Sequence, residues 1–178
     1  MSSSRVPDQL IDTASQILDV AKRKGADAAD VVVSQGASHG ISVRDGKREN
    51  AKASENRGFS LRVFRGAKVA SVSTNDDSDI DTLVERALAM AVVSPEDPYA
   101  SLADSARLAR EAPDLDLYDE TEVSPEALAE RALAAEAAAL QVKGVTRSSG
   151  AGASRGEVGF VLVTSDGFSG GYRRSYSS

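Results

Sequence analysis

Between Val158 and Tyr176 the chain spells a β-hairpin, and that hairpin constrains the fold more than any other stretch. Val158, Phe160, Leu162 and Thr164 alternate with Gly159, Val161, Val163 and Ser165, the two-residue period of a strand. Asp166-Gly167 is a dipeptide that accepts positive φ in a tight turn, and Phe168–Tyr176 returns. The returning strand runs to Ser178, so the sequence supplies nothing further to pair with it. An open edge exposes unpaired N–H and C=O groups that recruit other chains. The expectation is the front part of a longer protein, or an obligate piece of an assembly.

The remaining elements are well punctuated. Val6, Leu10, Ile11, Ala14, Ile17, Leu18 and Ala21 share one face of a helix over residues 6–24. Pro7 suits its first turn, Lys22-Arg23-Lys24 suits the negative end of its dipole, and Gly25 stops it. Strands follow at Asp30–Gln35, Ile41–Arg44, Lys47–Ser54, Gly58–Phe64 and Lys68–Thr74, with turns at Asp45-Gly46 and Arg65-Gly66. Lys47–Ser54 has only Ala51 and Ala53 as apolar residues and reads as a charged, protected edge.

A second helix begins behind Ser78, with Asp81 in a capping-box position. It buries Ile80, Leu83, Val84, Ala87, Leu88 and Ala91 and ends at Pro95 and Pro98. Residues 94–123 form a long excursion with a helical turn near Leu102–Ala109. Ser124 caps a third helix, Pro125 occupies its first position, and the helix runs to Gln141 with Gly144 beyond it. Three strands complete the chain. Runs of strands separated by helices predict an α+β fold, with helices on one face of a largely antiparallel sheet.

A length of 178 residues permits one good core or two small ones, burying roughly 70% of the unfolded surface. No run approaches the ~18 apolar residues of a membrane span. The start lacks the apolar core of a secretion signal, and zero cysteines exclude disulfides and thiolate metal sites on this chain. A net charge of -6 argues against a nucleic-acid surface.

Catalytic chemistry is sparsely represented. His39, the only histidine, reads as a solvated residue in a Gly36–Gly40 turn. One histidine without cysteine does not make the usual three-ligand zinc site. In the acidic run from Asp114, the calcium-loop positions fall on Tyr118, Asp119 and Pro125, so it reads as a solvated loop ahead of a helix. Gly150–Gly156 lacks the strand-before, helix-after context of a phosphate loop and reads as a turn or small-residue strand. No metal or other cofactor is expected on this chain. Tyr172, Arg173, Arg174 and Tyr176, on the last strand, combine main-chain pairing, charge and flat contact area, which suits a peptide or partner contact.

Several segments carry a family resemblance. Lys24–Val31, Ile41–Gly46 and Arg57–Val63 resemble the N-terminal domain of the TldD/PmbA family, once called modulators of DNA gyrase. Asp97–Ala100, Ala112–Tyr118 and Ser165–Tyr172 resemble specifically its PmbA (TldE) branch. The likeness runs in order along nearly the whole chain. It implies a cytoplasmic proteolytic complex in which two homologous subunits enclose a chamber for peptides or unfolded proteins. The TldD-type subunit would carry zinc in its C-terminal domain, and the PmbA-type subunit would lack those ligands.

Residues 1–178 are then expected to form the N-terminal domain of such a subunit, with the C-terminal domain absent. The expected parts are a helix–sheet–helix over about 1–93, an excursion over 94–123, and a helix with an incomplete sheet over 124–178. The expected function is the N-terminal part of a non-catalytic, chamber-forming subunit. The alternative is a stand-alone interaction domain acting by strand addition. Direct DNA or gyrase binding follows least well, and neither nucleic acid nor membrane is expected as a partner.

Overall fold

Leu10, Ala14, Ile17, Leu18, Val20 and Ala21 are all buried along one face of the first helix, α1 (Asp8–Arg23), in this computed structural model, which describes residues 8–109 and 113–178. Val6 and Pro7, expected in its first turn, and Ala112 of the Ala112–Tyr118 segment lie outside the described residues. Gly25 ends α1 as expected, with φ +95. The N–H of Ala26 reaches the Ala21 carbonyl at 3.0 Å while that of Gly25 reaches Lys22, which satisfies two carbonyls the helix end would leave free.

The strands are β1 (Ala28–Arg44), β2 (Lys47–Arg65), β3 (Lys68–Thr74), β4 (Ala151–Thr164) and β5 (Ser169–Ser177), and the other helices are α2 (Ile80–Val93) and α3 (Pro125–Leu140). The sheet is antiparallel with order β3-β2-β1-β4-β5, so the fold is α+β with helices laid on an antiparallel sheet. A short 3-10 turn at Ser105–Arg107 falls within the expected 102–109 window. Among the described residues, no helix is long and apolar enough to cross a membrane.

Several expectations need correction. The separate strands expected at Asp30–Gln35 and Ile41–Arg44 are one strand, because Gly36–Gly40 continues the ladder instead of turning. Lys47–Ser54 and Gly58–Phe64 likewise merge into β2. Gly150–Gly156 leads directly into β4, so two strands, not three, follow α3. The cap of α2 is Asp79, not Ser78, and its side chain accepts the Thr82 N–H at 2.9 Å. At Asp166-Gly167 only Gly167 has positive φ (+98), and the Thr164 N–H bonds the Phe168 carbonyl. That is a three-residue loop closed by a left-handed glycine rather than a two-residue turn. Asp45-Gly46 does adopt the two-residue form, with φ of 51 and 70.

The chain divides into two units whose segments interleave along the sequence, since β1, β2, β4 and β5 each contribute to both. The first comprises the described residues of Met1–Gln35, Asn56–Leu115 and Gly159–Arg173. Its core sets α1 and α2 against Val31, Val33, Phe59, Leu61, Val63, Ala70, Val72, Val161 and Val163. Phe59, Leu61 and Val63 of β2 face this core, as their alternation predicts. On the other face the nearly buried Asp30 carboxylate accepts from Arg62, whose guanidinium lies 5.2 Å from the Phe64 ring centre.

The second unit comprises Gly36–Glu55, Asp116–Val158 and Arg174–Ser178. Leu128, Ala129 and Ala132 of α3 pack on Ile41, Val43 and Ala153. Ser124 caps α3 as predicted, its Oγ accepting the Ala127 N–H at 3.1 Å. The Lys47–Ser54 stretch is exposed throughout, and β3 reaches only as far as Phe59, so this half of β2 is the edge the sequence suggested.

Candidate functional site

Polar groups of the second unit converge where β4, the end of β5 and the segment 116–123 meet. Ala153 of β4 faces the α3 core, and strand alternation puts Arg155 and Glu157 on that same side. Ser154 and Ser178 exchange both backbone bonds, at 2.8 and 3.0 Å, which fixes the β4–β5 register. In an antiparallel pair such exchanges recur at every second residue, so the Ser175 N–H points outward from the sheet.

That outward N–H is occupied. It donates to the Leu117 carbonyl at 3.0 Å, and the Ser175 Oγ accepts the Asp119 N–H at 2.9 Å. The segment is fixed by side chains on either side of this contact. The Tyr118 phenol donates to the Glu157 carboxylate at 2.5 Å. Arg155, only 12% exposed, donates to the Asp119 carbonyl and lies 3.6 Å from its carboxylate. Asp119 also accepts the Thr121 N–H at 2.9 Å, turning the chain toward the Ser124 cap. The Thr121 side chain, then its N–H, and the nearby Arg155 charge hold the Asp119 carboxyl below its ordinary range. The expectation that the last strand has nothing to pair with is therefore corrected at Ser175: an earlier segment of the same chain lies along that edge.

An open recess of about 800 Å³ lies between this segment and the sheet, lined by Ala37, His39, Tyr118, Glu122, Ser124 and Glu157 among others. His39 is a strand residue at the recess wall, not a solvated turn residue. Its Nε2 lies 2.9 Å from the Val123 carbonyl; a carbonyl only accepts, so Nε2 carries the proton and is spent on this bond.

The four residues singled out on the last strand fall in both units. In the first, Tyr172 stacks obliquely on Phe160 with ring centres 5.6 Å apart. The Arg173 stem passes the helix-facing side of Gly159. In the second, the Tyr176 ring lies directly over Gly156, so close that a Cβ there would come within 2.4 Å of it. Arg174 neighbours Ser175 on the same strand. Sequence reasoning missed Ser175, Tyr118, Glu157 and Arg155. No catalytic or metal-binding motif marks them, and the signals were Tyr118 set in a run of acids and at the end of the segment 112–118 that carries the family resemblance.

Chemically, this arrangement offers main-chain pairing and charge to an extended segment. Among the described residues, no three His, Cys, Asp or Glu side chains are grouped to hold a metal.

Comparison with known proteins gives a consistent picture. Residues 29–91 match the family model described as PmbA/TldA metallopeptidase domain 1, and residues 118–178 match the PmbA/TldA metallopeptidase central domain. The chain is 37% identical over 144 residues to the metalloprotease PmbA of Escherichia coli, a match covering 79% of this chain and 32% of that protein. A PmbA homolog from Haemophilus influenzae is 33% identical over 135 residues, covering 75% and 30%. The chain thus spans about a third of the length of the curated relatives it matches. Among solved structures, a candidate modulator of DNA gyrase from Bacteroides thetaiotaomicron superposes with TM-score 0.84 at 24% identity, covering 97% of this chain and 40% of that one. TldE from Thermococcus kodakarensis superposes with TM-score 0.73 at 15% identity, covering 93% and 37%. These two likenesses are of fold.

Proposed function

Because the chain belongs to the PmbA/TldD metallopeptidase family, we propose that it acts as the N-terminal part of a non-catalytic, chamber-forming subunit. It would work beside a TldD-type homologous subunit in the cytoplasmic proteolysis of peptides or unfolded proteins. The observation that carries this reading is the ordered match to the first and central domains of the family.

Zinc is the metal this reading assigns to the partner, and the donor set here does not fit it. The one histidine spends its Nε2 on the Val123 carbonyl, and the chain has no cysteine. What this chain contributes is surface: a sheet, an edge strand and a recess lined by backbone and polar groups. Such a surface suits extended peptides, which offer main-chain bonds in any sequence.

The test is reconstitution. The chain, alone and mixed with a zinc-loaded TldD-type subunit, is assayed on an unfolded polypeptide. Cleavage by the mixture that survives His39→Ala in this chain is expected. Cleavage by the chain alone, lost on substituting one of its own residues, would overturn the proposal.

A further inference from the structure

Edge strands are rarely left bare, and the way this one is covered indicates what it takes. Around Ser175 the chain's own segment makes two bonds, Leu117 accepting the backbone N–H and Asp119 donating to the hydroxyl. Strand addition by a separate peptide uses the same kind of main-chain contact. Yet Asp116–Val123 is not a regular strand, and it reaches this position through a left-handed non-glycine residue, Asp116, with φ 51. Left-handed backbone is uncommon outside glycine, although aspartate tolerates it better than most residues. The segment is thus a short substitute strand fastened by side chains, Tyr118 to Glu157 and Asp119 to Arg155.

Its chemistry is distinctive. The covering segment carries Asp116, Asp119, Glu120 and Glu122, and from β4 beneath it Arg155 donates to Asp119 while Glu157 accepts from Tyr118. We propose that the β5 edge at Ser175 is a strand-addition site for an extended acidic segment, with Leu117–Asp119 as its resident occupant. A partner peptide gains the site by replacing that occupant, so the edge is closed until an acidic strand competes for it. This inference does not depend on the subunit reading, and its failure would leave that reading untouched.

The probe is a labelled synthetic peptide with the sequence of residues 116–122, titrated by fluorescence anisotropy against the full 178-residue chain. The double variant Tyr118→Phe, Asp119→Ala loosens the resident segment and is expected to bind the peptide at least roughly ten-fold more tightly than the unaltered chain, since charge-assisted bonds are being freed. Adding Ser175→Pro, which removes the outward N–H at a position where an edge strand tolerates proline, is expected to abolish the gain. Equal binding by the loosened and unaltered chains, undiminished binding with Ser175→Pro, or equal binding of the same peptide with its Asp and Glu replaced by Asn and Gln would each overturn the proposal. So would self-association of the loosened variant without peptide binding.

Backbone exchange gives a second reading in case the double variant fails to fold. The Ser175 amide is expected to be protected in the unaltered chain and to exchange roughly ten-fold faster in Glu157→Gln. An unprotected Ser175 amide in the unaltered chain overturns the inference outright.

Discussion

The Glu136 carboxylate, in the middle of α3, accepts the N–H of Gly46 at 2.9 Å, and its other oxygen accepts that of Asp45 at 3.1 Å. Glu136 is 2% exposed. The β1–β2 turn, with both central residues at positive φ, is therefore gripped by a buried anion on the helix that packs beside it. The Gly46 N–H foremost, with the Ser148 side chain, the Asp45 N–H and the Arg44 charge, holds the carboxyl below its ordinary range against the opposing effect of burial.

A group whose carboxyl is depressed in the folded state stabilises the fold above its unfolded value and loses that contribution as pH falls through the folded value. Thermal unfolding of the unaltered chain should therefore weaken toward the acid end of a series from about pH 7 to about pH 3, where carboxylates take up protons. Glu136→Gln should lower the melting temperature at neutral pH and flatten that acid dependence, because the amide cannot accept with both ends. An unchanged slope would show that the clamp contributes nothing to acid sensitivity.

Leu61 and Leu128 anchor the two cores, each fully buried. Replacing either with alanine should cost about 2–5 kcal/mol, the range for a large-to-small change in a packed core. Denaturant unfolding of the two variants measures it, and a loss below about 1 kcal/mol at either would mean that the site collapses to fill the space.

Ser124 is the sequence-predicted cap of α3, and its Oγ bond to the Ala127 N–H identifies what it does. Ser124→Ala should cost about 1 kcal/mol, whereas Ser124→Asp should be close to neutral, since both serine and aspartate accept at that position. Chemical denaturation of the two variants side by side separates capping from a mere surface change.

Gly156 leaves room for the Tyr176 ring, which lies where a Cβ would stand. Gly156→Ala should displace that ring, visible as a change in tyrosine fluorescence and faster exchange of neighbouring β5 amides. An unchanged ring environment would mean that the contact is not maintained in solution.

What the sequence reveals here follows the range of the interactions involved. Helix α1, the Gly25 stop, the Ser124 cap and the Asp45-Gly46 turn rest on neighbours a few residues away, and each was legible. The merging of strands through Gly36–Gly40 was not. Glycine and serine there signal a turn locally, but pairing to both sides in the sheet overrides that preference. His39 was misread for the same reason, since its partner Val123 is far away in sequence. The grip of Glu136 on Gly46 joins segments on opposite sides of the long excursion, the cover that Leu117 gives Ser175 joins the excursion itself to the last strand, and no local pattern announces such contacts.

The proposed function makes this chain one part of a two-subunit peptidase rather than a protein acting alone. Native mass spectrometry of the chain mixed with a TldD-type subunit tests it most directly. A species containing one or more copies of each, with zinc carried only by the TldD-type subunit, is the predicted result. Two separate species at micromolar concentration, or zinc tightly held by this chain, would contradict the account.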